Sequence, residues 1–584
     1  MLPAKIVANF LSDKGVTHAF DVAGGMIAFI EDAISKTRGI QCSPNHHEQG
    51  CGFAAEGFAR MGKNFGVAMA TSGPGATNLL TAIGSCFFDS VPVLFITGQV
   101  NTNDLKKHKN IRQNGFQETD IVTVARSLTK YSVMVRNPNN ILYELEKAYF
   151  LMKHGRPGPV LLDIPIDVQR TPVKPANLRR FLGSAEHKKL SAVKSKAGIS
   201  KKIKQLAKLL QKAKAPVILV GGGARISNTT AELRMFAAKN NLPVVCSLMG
   251  LDSFPAADKN FVGFIGSYGN REANMVLANA DLVIALGSRL DLRQTGNPKL
   301  FAKNPTIVHV DIDRYSINTG IRSQLSFNLD LNEFFVLAKH LRAAKKTAWL
   351  HFIAEIKTYF SRPLLQNKNV DPNTFLAGLS ASAGPASTIV SDVGNHQMWL
   401  AQSWQTKIGQ RILFSGGMGS MGFALPAAIG AYFAELSRDL IIVCGDGGFQ
   451  MNIQELETVR RNKIPAKIFL LNNKSLGMVR AFQSVYFKNN YQSTVIGYST
   501  PDFKKIAYAY DLDYIAVERG DKKTDFKKIL RSKKATLIEV KLRASAPLEP
   551  KVIFGKPLDD QHPFLNEKKR RWLKTLKEEL RHGK

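Results

Sequence analysis

Cysteine is scarce in this 584-residue chain: Cys42, Cys51, Cys86, Cys246 and Cys444 are odd in number and lack CxxC spacing. Their scarcity excludes a disulfide framework and a thiolate zinc site, and fits a reducing compartment. Long apolar runs are missing too. The best one, Met418 to Phe433, is broken by Gly419, Gly422, Pro426 and Gly430, so no stretch reads as a membrane span. The N-terminus alternates apolar and polar residues at helical spacing and lacks the form of a signal peptide, so a cytoplasmic location is expected. Acids are the third shortage: 46 Asp and Glu against 80 Lys and Arg leave a formal charge of +34. No helix-turn-helix, zinc-finger or RNP-like motif accompanies that charge, so no specific nucleic-acid partner is expected. Half of the excess lies in residues 174–214, with thirteen Lys or Arg against one acid, and 566–584, with eight against three. What the chain has in quantity is core material, 44% hydrophobic and 9% aromatic residues, enough for several folded units.

Short apolar runs at 65–70, 91–96 and 160–164 alternate with helix-like stretches. This rhythm predicts parallel sheets with crossover helices. It restarts at Pro216 and again near Ser387. The expected fold class is therefore α/β, with three doubly wound parallel-sheet units. The expected boundaries are an N-terminal unit at 1–172, a basic linker at 173–200, a central Rossmann-like unit at 201–345, a C-terminal unit at 371–545 and a basic tail at 546–584.

The most specific local signal is GDGG at 445–448, with Asn472-Asn473 after the next apolar run. Both elements end strand-like segments, so they fall at the carboxyl ends of neighbouring parallel strands, where open α/β sheets bind ligands. Gly445, Gly447 and Gly448 allow backbone N–H groups to approach a diphosphate, and Asp446 and Asn473 supply hard oxygen ligands for Mg²⁺. The competing reading is a tight strand-to-helix turn with an Asx cap. For Met421, in the Gly-rich run 415–431, it is core packing, and for Glu56 it is an exposed helix glutamate. His46 and His47, at a strand-to-helix junction, read first as capping or packing residues.

GDG followed at this distance by Asn-Asn, together with NHHEQGCGFAAEGFAR (45–60), ATSGPGATNLLTAI (70–83), DSVPVLFITGQV (89–100), FQETDIV (116–122), GRPGPVLLDIP (155–165), SRLDLRQTGN (288–297), GNHQMWLAQ (394–402) and NNKSLGMVRAFQS (472–484), resembles the large catalytic subunits of acetolactate synthases. These belong to the thiamine diphosphate (ThDP) enzymes, and the resemblance covers roughly residues 1 to 545. It implies Mg²⁺ on Asp446, Asn473 and the Ser475 carbonyl, and a diphosphate beside Gly394, Asn395 and His396. It also implies a cofactor bent over Met421, with its amino group on the Gly419 carbonyl, in a pocket lined by Gly477, Met478 and Val479. Glu48, supplied by a partner protomer, would protonate the aminopyrimidine, a task that burial of a carboxyl group favours.

The same resemblance implies decarboxylation of pyruvate and transfer of the two-carbon unit to a second 2-keto acid. Gly25, Phe116 and Gln117 would surround the reacting carbon, Arg293 would pair with the second carboxylate, and Phe482 would limit its size. A non-redox FAD is implied in the middle unit, near Arg156, Gly221, Gly222, Gly223, Arg289 and Asp311, although GGGARIS lacks the GxGxxG spacing. A homodimer or tetramer with sites at the dimer interface is expected, and a regulatory small subunit is a candidate partner. Met26, Ser267, Leu292 and Phe482 depart from the family pattern, so a ThDP lyase or carboligase for another 2-keto acid or a sugar-derived substrate stays open as the alternative.

Overall fold

The computed structural model describes residues 1–582 apart from 63, 109, 193–197, 302–304, 361–369, 519–523 and 554. Short apolar runs flanked by turns fold into three six-stranded parallel sheets. The first contains β1 (His18–Asp21), β2 (Gln41–Pro44), β3 (Gly66–Ala70), β4 (Val93–Gln99), β5 (Tyr131–Met134) and β6 (Val160–Pro165), in the order β2-β1-β3-β4-β6-β5. The second holds β7 (Pro216–Val220), β8 (Val244–Cys246), β9 (Phe261–Phe264), β10 (Leu282–Leu286), β11 (Thr306–Asp311) and β12 (Leu325–Asn328). Its order, β12-β11-β10-β7-β8-β9, is that of the Rossmann fold. The third runs β13 (Ser387–Ser391), β14 (Arg411–Phe414), β15 (Asp439–Gly445), β16 (Lys467–Asn472), β17 (Asp513–Val517) and β18 (Thr536–Lys541). Its order, β14-β13-β15-β16-β18-β17, repeats that of the first sheet. Central strands such as β4, β10 and β16 are buried along their whole length, as strands covered by helices on both faces must be.

The outer sheets are joined by two helices, α1 (Glu48–Met61) and α2 (Ala424–Ala434). Three glycines inside α1 are poor helix formers, and tertiary packing explains them. A Cβ on Gly57 would stand 1.9 Å from the Ala427 carbonyl oxygen, and one on Gly430 would stand 1.8 Å from that of Ala54. The two backbones therefore touch. At the start of α1, Asn45 Nδ2 and the His46 N–H donate to the Glu455 carboxylate at 2.8 and 2.9 Å. His47 caps the helix, its Nδ1 accepting from the Gln49 N–H at 3.1 Å.

Two segments depart from expectation. The described residues between 173 and 200 are not simply an exposed linker. Val173 and Phe181 are buried, Glu146 accepts from the Arg180 side chain and from the N–H groups of Phe181 and Leu182, and Ala185–Ser191 is helical. The tail is docked as well. Trp572 stacks on Tyr359 with ring centres 4.0 Å apart, Leu573 and Leu576 are buried, and Arg271 donates to the carbonyls of Gln561 and Pro563. The composition of both segments is explained by amphipathic helices. In Ile199–Lys212 and Glu567–His582, leucines face inward, while Lys201, Lys202, Lys204, Lys208, Lys568, Arg570, Arg571 and Lys574 stay in solvent.

Gly57→Ala forces a methyl group into the Ala427 carbonyl and should lower unfolding stability by about 3 kcal/mol. Gly25→Ala, where nothing lies within 4 Å of the added carbon, should leave the urea midpoint unchanged.

Candidate active site

In both outer sheets the strand order reverses beside the first strand, between β1 and β3 and between β13 and β15, which opens a crevice at the carboxyl ends. Candidate residues gather at the second crevice. β15 and β16 pair as far as Gly445 opposite Leu471, and just beyond that pair the Asn473 N–H donates to Asp446 Oδ1 at 3.4 Å. Asp446 is buried, and Tyr498 donates its hydroxyl to Oδ2 at 2.7 Å. Burial raises the Asp446 carboxyl above the usual range, and the Tyr498 hydrogen bond works against that rise.

One terminal atom of the Asn473 amide stands 3.1 Å from Asp446 Oδ1 and 2.8 Å from the Ser475 carbonyl oxygen. As an NH₂ group it donates to both. As the amide oxygen it completes a trio of oxygens, and its spacing matches the ~3 Å edge expected for octahedral Mg²⁺ with ligands at ~2.1 Å. Among the described residues there is no cluster of three His, Cys, Asp or Glu side chains for a metal, so hard-oxygen ligation through one carboxylate is the arrangement that fits.

Around this corner the backbone is packed too closely for side chains. A Cβ on Gly448 would meet Asp392 Oδ1 at 2.5 Å, one on Gly477 would meet Asn395 Nδ2 at 2.4 Å, and one on Gly445 would meet the His396 ring at 2.9 Å. Gly394, with φ +155°, and Gly419, with φ +69°, hold turns that other residues rarely adopt. Met421 Cε lies 3.3 Å from the Cβ position of Gly447, so the expected wedge stands directly above GDGG.

Buried polar atoms without partners cluster here: Asn395 Oδ1, His396 Nε2, Ser420 Oγ and Ser475 Oγ. Orphaned groups at this density point to a polar ligand, and ThDP with its metal fits. Burial pushes the His396 imidazole down to about 4, so it is neutral. Met478 is half-buried, whereas Val479 and Phe482 stand at the rim, more than half exposed, with Phe482 against Tyr486 at 4.4 Å.

Gly25, Glu48, Phe116 and Gln117 sit instead at the crevice of the first sheet. Glu48 is half-buried and accepts from Asn78 Nδ2 at 2.9 Å. Gln117, with φ +65°, packs on Gly73, and Phe116 is 78% exposed. Among the described residues, none of these four hydrogen-bonds to the Asp446 cluster of its own chain. Beneath Gly24 and Gly25, the carboxyl groups of Asp21 and Glu31 lie close enough to influence each other. Burial pushes Asp21 up to about 6 and, with help from the Asp21 charge, Glu31 up to about 7.

A third group lines a cavity of about 830 Å³ between the units: Arg156, Gly221, Gly222, Gly223, Arg289, Asp311 and Arg293. Its size suits a nucleotide cofactor. Arg156 reaches across it, donating to Ser90 Oγ at 2.7 Å and Asp313 Oδ2 at 3.1 Å. Gly221 and Gly223 lie against Gly287, so close backbone packing explains these glycines. The exposed reading of Glu56 is wrong. Its carboxylate is fully buried and paired with Arg60 at 2.5 Å, a partner one helical turn away. Asp392 and Tyr498 were missed. Asp392 stands two residues before Gly394 and accepts from the N–H groups of Val393, Gly422 and Ala424, so the GNHQ run carried a signal for it. Tyr498 sits in a loop without a motif.

Sheet topology and this oxygen-lined corner together define a cofactor-binding α/β enzyme of the ThDP type. Family models agree over three stretches: the thiamine pyrophosphate enzyme N-terminal TPP binding domain at residues 1–124, the central domain at 203–336 and the C-terminal TPP binding domain at 392–540. The acetolactate synthase large subunit of Lactococcus lactis subsp. lactis is 34% identical over 564 residues, 95% of each chain. Acetolactate synthase isozyme 3 large subunit of Escherichia coli K12 is 33% identical over 95% of this chain and 97% of its own length. The large subunit from Buchnera aphidicola subsp. Schizaphis graminum is 36% identical over 87% and 88%. The chain belongs to the acetolactate synthase large-subunit family of ThDP enzymes.

Tyr498→Phe removes the hydrogen bond to Asp446 and should weaken Mg²⁺ retention by about 10–100-fold, read by metal titration in the presence of ThDP. Asp21 and Glu31 have folded-state pKa values above their unfolded ones. Their contribution is therefore complete below about pH 4 and lost as pH rises through about 6 to 7. Glu31→Gln should flatten the fall of Tm between about pH 4.5 and 7, and an unchanged slope would contradict this coupling.

Proposed function

We propose that the protein condenses two 2-keto acids, with pyruvate as donor, in the acetolactate synthase reaction of branched-chain amino-acid synthesis. The observation that carries this reading is the buried corner of Asp446, Asn473 and the Ser475 carbonyl, surrounded by orphaned polar groups. When bound, ThDP supplies the carbon nucleophile for the pyruvate carbonyl and the electron sink that lets CO₂ depart.

The chain's own residues hold and orient the reactants. Asp446, Asn473 and the Ser475 carbonyl hold Mg²⁺, while Gly394, Asn395, His396 and the GDGG turn cradle the diphosphate. The Gly419 carbonyl and Met421 would hold the cofactor's amino group and rings, and Gly477, Met478 and Val479 would line its pocket. Glu48 comes from a second copy of the chain and keeps a proton on the aminopyrimidine. That assignment fits a Glu48 that makes no hydrogen bond to its own Asp446 cluster among the described residues and an exposed Phe116 beside the same crevice. A dimer is thus the smallest active unit. Gly25, Phe116 and Gln117 exclude water around the reacting carbon. Arg293 offers its guanidinium to the carboxylate of the second keto acid, and Phe482 sets the room for its side chain.

FAD in the central cavity serves structure rather than electron transfer, held by the residues that line it. A regulatory small subunit is the further partner. The enzyme works in the cytoplasm, which agrees with five free cysteines and with no described helix long and apolar enough to cross a membrane. The Met26, Ser267, Leu292 and Phe482 departures favour a second reading, a ThDP lyase or carboligase acting on another 2-keto acid or a sugar-derived substrate.

Purified protein given ThDP, Mg²⁺ and pyruvate alone should release CO₂ and form acetolactate, and absence of acetolactate from protein that has taken up ThDP would favour the second reading. Glu48→Gln should retain ThDP yet lose about 10²–10⁴-fold in turnover; unchanged turnover would remove Glu48 from the chemistry.

A further inference from the structure

We propose that Asp89, Arg60 and Glu56 form a positioning cluster through which the N-terminal unit sets the shape of the 415–422 loop that carries Gly419 and Met421. The proposal rests on the reading of that loop as the segment that bends ThDP.

The loop contains glycines at 416, 417, 419 and 422 and has little stiffness of its own. Its hold comes from residues more than three hundred positions earlier. Asp89, the last residue of the helix Leu80–Asp89, has a buried carboxylate that accepts from the Gly416 N–H through Oδ2 at 2.9 Å and from the Gly417 N–H through Oδ1 at 2.7 Å. One carboxylate thus fixes two successive peptide planes. Arg60 grips both ends of the same loop. Its Nη1 donates to the Phe414 carbonyl at 2.8 Å, just before the loop, and its guanidinium lies over the Phe423 ring at 5.6 Å, just after it. Arg60 Nη2 also donates to Asp89 Oδ2 at 2.6 Å and to Glu56 Oε1 at 2.5 Å, so the head group that spans the loop is itself clamped. Met418 enters the same contact, its Sδ 2.7 Å from the Cβ position of Gly84.

Two buried carboxylates on one guanidinium are a costly way to gain stability, since apolar replacements of such clusters are often neutral or stabilising. What they supply is direction. The carboxylate and guanidinium fix the loop's path at Phe414, at the Gly416–Gly417 peptides and at Phe423, and so fix the Gly419 carbonyl and Met421 between them.

Full-length wild type, Asp89→Asn and Gly417→Ala are to be compared by equilibrium dialysis of ThDP with Mg²⁺ and by NMR of deuterium exchange at C2 of the bound cofactor at saturation. Asp89→Asn turns an NH₂ group toward N–H donors. Gly417→Ala leaves every charge in place but puts a methyl 2.6 Å from Phe88 Cβ. Each variant should bind ThDP about tenfold more weakly and exchange C2–H about tenfold more slowly once saturated. Wild-type values of both quantities in either folded variant overturn the proposal, even alongside a lowered Tm, because the cluster is then merely structural. Gly417→Ala decides alone if Asp89→Asn does not fold. Failure of the wild type to take up ThDP removes the underlying reading instead.

Discussion

The fold turns on one contact, the touching backbones of α1 and α2 at Gly57 and Gly430. No side chain separates the two helices there, so the first and third sheets sit at a distance set by main-chain van der Waals radii. Everything that needs the outer units in register follows from that spacing: the Glu455 carboxylate on Asn45 and His46, the Asn452 amide on Gln49, and the Asp89 carboxylate on Gly416 and Gly417. Because the two sheets share one strand order, the crossing relates two similar crevices. It leaves the Glu48 crevice and the Asp446 crevice of a single chain without a hydrogen bond between them among the described residues.

Chemistry is divided accordingly. The third sheet offers hard oxygens, close-approach glycines and orphaned polar atoms, a surface suited to a metal and a diphosphate. The first offers a carboxylate and an exposed phenyl ring, suited to an aminopyrimidine and to the flat face or methyl group of a small reactant. The Rossmann-ordered sheet between them lines the cavity from one side, and Arg156 closes it from the other by bonding to Asp313.

Much of this was legible in the sequence wherever a local pattern decides the outcome. Buried parallel strands show as apolar runs because both their faces are covered, and Asp446 and Asn473 announce themselves because each ends such a run. The Glu56 misreading has a different origin. Its neutralising partner Arg60 is visible four residues on, but Asp89, which completes the cluster, comes from another helix. The basic stretches misled for a related reason, since a high lysine count conceals a narrow leucine stripe that suffices to dock a helix. Phe181, Trp572 and Tyr498 belong to contacts between segments remote in sequence, and no spacing rule reports those.

The α1–α2 crossing also has a consequence for how the chain comes off the ribosome. About 360 residues separate the two helices, and at roughly 5–20 residues per second the small-residue face of α1 waits about 18–72 s for its counterpart. During that interval the N-terminal unit carries an unpaired strip of Gly, Ala and Phe that is deeply buried in the finished fold. The contact that sets the geometry of the enzyme thus cannot form until most of the chain has been made.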